Sequence, residues 1–224
     1  MCFSMSADVI AGVALLPVAA VCLREVRTPR ELPFASLPLI FALHQLTEAL
    51  VWHGADDYVS AGVQHAAAMV YVLVAFPLLP FLVPLAVLLL EPQGLRQRVA
   101  PFVVLGAVVA AYLLYAVLDG PLLVREEPHA LVYDVDLTFG PMWAVLYIVA
   151  VIGPSVLSGY PSIVAFGLLN LVGLTVVAIV YVQAFASLWC VWAALTSSLI
   201  AVHMVLRRRL PDFHRLEGQA LAPA

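Results

Sequence analysis

Long apolar runs separated by short polar segments set the pattern of the chain. A helix needs about 20 apolar residues to cross the hydrocarbon core of a bilayer. Runs of that order recur seven times, at about 7–23, 32–52, 63–90, 99–118, 141–156, 163–181 and 184–206. The breaks carry turn and charge signals: REVRTPRE at 24–31, HGADDYVSAG at 53–62, EPQGLRQR at 91–98 and GPSVLSGYPS at 153–162. The weakest break, VYVQAFAS, lies between the last two runs. The longest polar segment, DGPLLVREEPHALVYDVDLTFG, covers 119–140. The pattern predicts an all-α, polytopic integral membrane protein. Residues 1–210 form one domain of seven transmembrane helices, and 211–224 form a cytoplasmic tail expected to be disordered.

Composition supports the same class. The chain is 64% hydrophobic and 11% charged, with a mean hydropathy of +1.06, whereas a soluble domain is about 25% charged. A net charge of −4 gives no reason to expect a nucleic-acid partner; the partner the composition implies is the lipid bilayer. The opening MCFSMSADVI has no basic region and does not read as a cleaved signal peptide. All ten basic residues are arginine. They cluster at Arg24, Arg27 and Arg30, at Arg96 and Arg98, and at Arg207, Arg208 and Arg209. Cytoplasmic loops carry the excess of basic residues, and these three places share a side when the spans number seven and the N-terminus is outside. The opposite loops are acidic, with Asp56, Asp57, Asp119, Glu126, Glu127, Asp134 and Asp136 against one Arg125.

Several positions inside the spans read as structural. Pro77, Pro80 and Pro84 share one face of the third span and should bend it. Gly167, Asn170 and Gly173 in the sixth span form a small-residue stripe of the kind that lets helices approach closely. Gln183, Ser187, Cys190, Ala194 and Ser197 do the same in the seventh.

Candidate chemistry centres on FALHQLTEALVWH at 41–53. His44 and Glu48 lie a turn apart on one helical face, and Gln45 and Trp52 widen that stripe. A carboxylate inside a membrane span is expensive and points to function by default. With the orientation above, Cys2, Glu48, His53, His65, Cys190 and the loop residues His129, Tyr133 and Asp134 all map to the outer half, with His44 nearer the middle. Cys22, His203 and His214 do not, and the inner halves of the spans are nearly all aliphatic. Cysteine, histidine and carboxylate together suit zinc or another transition metal, which makes Cys2, His44, Glu48, His65, His129 and Cys190 candidate ligands. Neither HExxH nor HxxxH occurs. Gln45, Trp52, Tyr133 and Asp134 are candidate contacts to a small molecule, and Glu48 and Cys190 are candidate catalytic groups. The competing structural readings are a polar clasp around Glu48 between helices, interfacial roles for His53 and His65, a packing role for Cys190, and a Cys2–Cys190 disulfide. Cys22 lies a membrane thickness away from such a bridge.

The expected function is therefore an outward-facing polar pocket that binds a small ligand or a metal ion, with catalysis as an extension of it. The alternatives are a receptor or accessory subunit that docks a partner, and a small-solute transporter. A retinal pigment is excluded as a Schiff base, because the chain has no lysine. A transporter built from two halves would show matching broken helices, and only the third span is broken by prolines in this way.

Five motifs in order resemble a family. They are Met1-Cys2-Phe3-Ser4; His44-Gln45-x-x-Glu48 followed by Trp52; Pro80 and Pro84 with Glu91-Pro92; His129-x-x-x-Tyr133-Asp134; and Ser187-Leu188-Trp189-Cys190. Together they resemble a bacterial membrane-protein family of unknown function whose members open with MCFS. The resemblance implies a multi-pass protein of a bacterial inner membrane. It also implies Cys2, Gln45, Glu48, Tyr133, Asp134 and Cys190 as recurring polar residues. The second-span motif of that family often reads QQxxE, so His44 departs from it and the weight falls on Glu48. No activity or cofactor comes with the resemblance.

Overall fold

The computed structural model describes residues 5–55, 58–127, 130–180, 192 and 194–206. The fold is mostly helical. Helix α1 (Met5–Arg24) leads through a 3-10 turn (Pro29–Glu31) and a one-turn helix α2 (Leu32–Ala35) into α3 (Leu37–Ala55). Helices α4 (Ala61–Leu73) and α5 (Leu79–Leu90) are joined by a π-helical turn at Val74–Leu78. Helix α6 (Gln93–Asp119) is followed by strands β1 (Leu123–Glu127) and β2 (Ala130–Asp134), then α7 (Gly140–Val156), α8 (Pro161–Val180) and α9 (Ser198–Leu206).

Four helical stretches, Met5–Arg24, Pro29–Gly54, Ala61–Leu90 and Gly94–Asp119, are long and apolar enough to cross a membrane, and three shorter apolar helices follow. Large apolar side chains cover the outside of the bundle, including Ile10, Val13, Val104, Val108, Leu118 and Val145. Water would not tolerate so extensive an apolar surface, whereas lipid requires it. Helix length, apolar composition and apolar surface together support a helical membrane protein.

The helices close a ring. Helix α1 packs on α3, α3 on α4, α5 on α6 and α7, α6 on α7, α7 on α8, α8 on α9, and α9 back on α1. Close approach is specified by small residues. A side chain at Gly106 of α6 would run into the carbonyl oxygen of Pro80, and one at Gly153 into the ring of Phe102. Gly167 of α8 lies against Ser155 of α7, and Gly173 against Trp192, as expected for the stripe in the sixth span. Asn170 continues it, its amide donating to Thr196 Oγ1 at 3.0 Å. Of the stripe expected in the seventh span, Gln183, Ser187 and Cys190 lie outside the described residues, and Ala194 and Ser197 are buried.

The bend expected from the prolines takes a specific form. Leu79 donates its N–H to Val74, five residues back, so the turn holds one residue more than an α-turn. The Ala75 carbonyl is then left without a backbone donor, because Leu79 is committed and residue 80 is a proline with no N–H. The Tyr147 hydroxyl of α7 supplies the missing hydrogen bond at 2.6 Å.

The segment at 119–140, read as a polar loop, contains an antiparallel hairpin. Leu123 pairs with Asp134 and Glu127 with Ala130. A lone two-stranded hairpin is marginal in water. This one is held by burying Leu131 and Tyr133 against Tyr71 and Val117 at one end of the bundle.

At the opposite end, where the span interiors were expected to be nearly all aliphatic, buried polar groups stand in the connecting turns and at helix ends. Glu31 is buried and accepts from the Arg27 N–H at 2.9 Å and the Thr28 hydroxyl at 3.1 Å. Glu91 is buried and accepts from the Ser158 hydroxyl and from the Gly159 N–H at 3.1 Å. His203 is in hydrogen-bond contact with Ser162 through Nδ1 at 2.7 Å, and Phe34 and Tyr160 meet its ring edge-on. These groups tie loops and helix ends together, which is why they tolerate burial. An apolar core containing Leu15, Phe34, Phe41, Val83, Phe166 and Ile200 belongs to this half of the bundle.

Candidate functional site

The stripe on α3 turns inward. Gln45 and Glu48 are wholly buried, His44 is 2% exposed and Trp52 is 7% exposed. Opposite them stands α1. Gly12 permits the approach, since a Cβ there would fall 2.7 Å from Leu46 Cγ and 3.0 Å from the Ala42 carbonyl. One turn before Gly12 comes Asp8, which is 2% exposed and within hydrogen-bonding reach of the Trp52 indole. Trp52 is itself one turn beyond Glu48 on α3. The two helices thus bring two buried carboxyl-bearing residues to the neighbourhood of the same tryptophan.

A column of rings forms the next wall. His44 stacks on Tyr71 of α4, with centroids 3.9 Å apart and planes at 13°. Tyr71 stacks in turn on Tyr133 of β2 at 4.5 Å and 15°. The hairpin therefore inserts one ring of its own into the helical bundle. Gln64 of α4 donates to the Val51 carbonyl at 3.3 Å and braces α4 against α3 alongside.

The polar inventory is unbalanced. Asp8 Oδ1, both ring nitrogens of His44 and both amide atoms of Gln45 are buried without a hydrogen-bond partner among the described residues. A buried polar atom left unpaired costs about 1–3 kcal/mol, and most such atoms in native proteins are paired. A neutral imidazole offers one donor and one acceptor, and the glutamine amide offers both. The cluster therefore gathers hydrogen-bond donors and acceptors beside two carboxyl-bearing side chains, Asp8 and Glu48.

Other expected residues are placed elsewhere. His65 is exposed on α4 and does not join the cluster. Asp134 forms an ion pair with Arg125 at 2.6 Å on the exposed side of the hairpin. His53 meets Tyr58 edge-on at the end of α3. Cys2, His129 and Cys190 lie outside the described residues. Among the described residues, no group of three or more His, Cys, Asp or Glu side chains is placed to hold a metal ion.

The chain matches a family of unknown function, DUF6629, over residues 1–216. It belongs to the DUF6629 family. Comparison with curated proteins and with solved structures finds no match. The resemblance to a family without an assigned activity therefore holds along nearly the whole chain.

Two members of the cluster in this DUF6629 protein were not singled out from the sequence. Asp8 had a usable signal, because it falls inside the first apolar run and meets the same cost argument as Glu48. Tyr71 had none, since a tyrosine in AAAMVYVLVAF reads as an ordinary apolar position.

Proposed function

We propose that this protein spans a bacterial inner membrane seven times, N-terminus outside and C-terminus inside, and binds a small polar ligand in an outward-facing site. Asp8, His44, Gln45, Glu48 and Trp52 line that site, and Tyr71 and Tyr133 wall it. The arginine clusters support the orientation: Arg24, Arg27, Arg30, Arg96 and Arg98 all belong to the end opposite the hairpin. The single observation that carries the binding role is the set of buried polar atoms on Asp8, His44 and Gln45 that have no hydrogen-bond partner among the described residues. Packing alone would have favoured apolar side chains there. If the site is catalytic, Glu48 serves as its proton donor or acceptor. Cys2 and Cys190 are the thiols that a metal-binding version would recruit beside Glu48.

The test is native mass spectrometry and metal analysis of protein purified from membranes. A stoichiometric small molecule, present in the wild type and lost in Gln45→Leu and Glu48→Gln, is the expected result. A stoichiometric transition metal, lost in Glu48→Gln and Cys190→Ala, would assign the metal version. Wild type and variants equally free of any bound species, and equally folded, would remove the binding role.

A further inference from the structure

We infer that the end of the bundle opposite the hairpin is a docking surface for anionic phospholipid, with arginines at the lipid phosphate and apolar side chains along its acyl chains. The observation behind it is an asymmetry of exposure. Among the described residues, this end carries Arg24, Arg27, Arg30, Arg96 and Arg98 against Glu25, Glu31 and Glu91. Two of those acids are turned inward. Glu31 is buried and accepts from the Arg27 N–H and the Thr28 hydroxyl. Glu91 is buried and accepts from Ser158 and Gly159. Glu25 is half-buried. The bases are turned outward: Arg24, Arg27, Arg30 and Arg98 are exposed, and only Arg96 is half-buried, its Nε donating to the Glu91 carbonyl at 2.9 Å. A chain of net charge −4 thus presents a basic surface at one end. The hairpin end is arranged the other way, with Asp119, Glu126 and Asp136 exposed and Arg125 paired with Asp134.

The exposed arginines stand beside apolar surface. On α1, exposed Val21 lies one turn before Arg24. Leu32, exposed at the start of α2, follows Arg30 by two residues. On α6, exposed Pro101 lies one turn beyond Arg98. The 3-10 turn that carries Arg30 packs on α5, and Arg96 ties the start of α6 to Glu91 just after α5. The two arginine-bearing turns therefore share one end of the bundle. A guanidinium is a planar fork that engages two phosphate oxygens at once and keeps its charge. With no lysine in the chain, every basic residue has that geometry. Free phosphate would use the arginines and leave their apolar neighbours bare, whereas a phospholipid uses both. The headgroup must be net anionic, because a choline or ethanolamine ammonium would bring positive charge against the same arginines. Basic residues at a membrane surface attract anionic lipid in this way.

The test titrates the purified full chain, in a neutral detergent, with phosphatidylglycerol and with phosphatidylcholine of the same acyl chains, and follows thermal unfolding. Saturable stabilisation by phosphatidylglycerol, and not by phosphatidylcholine, is expected. Its affinity should fall by about fivefold for each arginine removed in Arg27→Gln, Arg30→Gln and Arg98→Gln at low salt. It should fall again as salt is raised. Arg27→Lys and Arg30→Lys keep the charge and lose the fork, so their affinities should lie between wild type and the glutamine variants. Arg125→Gln, at the hairpin end, should leave the affinity unchanged. Cooperative unfolding of each variant without lipid shows that it is folded. Equal stabilisation by phosphatidylcholine overturns the proposal, as do wild-type affinities in all three glutamine variants or an equal loss in Arg125→Gln. Inorganic phosphate that stabilises as strongly as phosphatidylglycerol at equal concentration overturns the lipid assignment. The outward-facing site lies at the other end, so none of these outcomes bears on the ligand-binding role proposed for it.

Discussion

Two buried acids in this protein, Glu91 and Asp8, are alike in burial and unlike in surroundings. Glu91 is fully engaged, accepting from the Ser158 hydroxyl and the Gly159 amide and so holding the turn before α8. Hydrogen bonds to a charged group contribute about 1.5–3 kcal/mol. Glu91→Gln should therefore lower the unfolding free energy by about 2 kcal/mol, as read by denaturation in detergent. Asp8 is different. Its place in the first turn of α1 favours negative charge, while its burial, with Oδ1 lacking a hydrogen-bond partner among the described residues, opposes it. Asp8→Asn should leave stability within about 1 kcal/mol of the wild type. Equal losses in the two variants would mean that Asp8 is a structural tie like Glu91. Gln45 and Glu48 were legible from sequence because a polar residue deep in an apolar run has no inexpensive explanation. Asp8 was less so, because an acid at the start of a helix is ordinary. Tyr71 was invisible, since its importance comes from the rings of His44 and Tyr133 above and below it, and both are tertiary neighbours.

At the scale of elements, the proline spacing in the third span announced a bend, and local chemistry explains why. What spacing could not show is that the bend is a π turn whose unpaired carbonyl is satisfied from α7. Tyr147→Phe removes that donor and should cost about 1–2 kcal/mol, with a lowered midpoint of thermal unfolding. An unchanged midpoint would show that water substitutes for the hydroxyl. Gly106 is the complementary case. A methyl group there meets the Pro80 carbonyl, so Gly106→Ala should destabilise the α5–α6 contact by about 1–3 kcal/mol. The hairpin escaped notice because each strand is only five residues long, and its apolar residues interleave with charges that read as a loop. Its stability comes from Leu131 and Tyr133 docking on helices far away in the chain, which no local pattern encodes.

For the whole molecule, apolar run lengths made the membrane class legible, and arginine placement suggested a direction. A test of that direction uses single cysteines in a background lacking the three native ones. Leu123→Cys, on the exposed face of the hairpin, should react with a membrane-impermeant maleimide added outside intact cells. Arg98→Cys should react only after the membrane is opened. The reverse pattern would invert the topology. The ring closure of α9 on α1 was not legible, because it joins residues from the two ends of the sequence through packing alone.

The π turn also sets a rotational phase. One extra residue in a helix turns everything before it by about 100° relative to everything after it. The half of the third span that carries Tyr71 is thereby aimed at His44 and Tyr133, while α5 keeps its own face on α6 and α7. Deleting one residue within 74–78 would leave both halves helical and the span apolar. It would swing Tyr71 out of the ring column and unseat the hairpin. In this protein, then, the shape of the ring column beside Glu48 is fixed by a count of residues some distance along the helix from it.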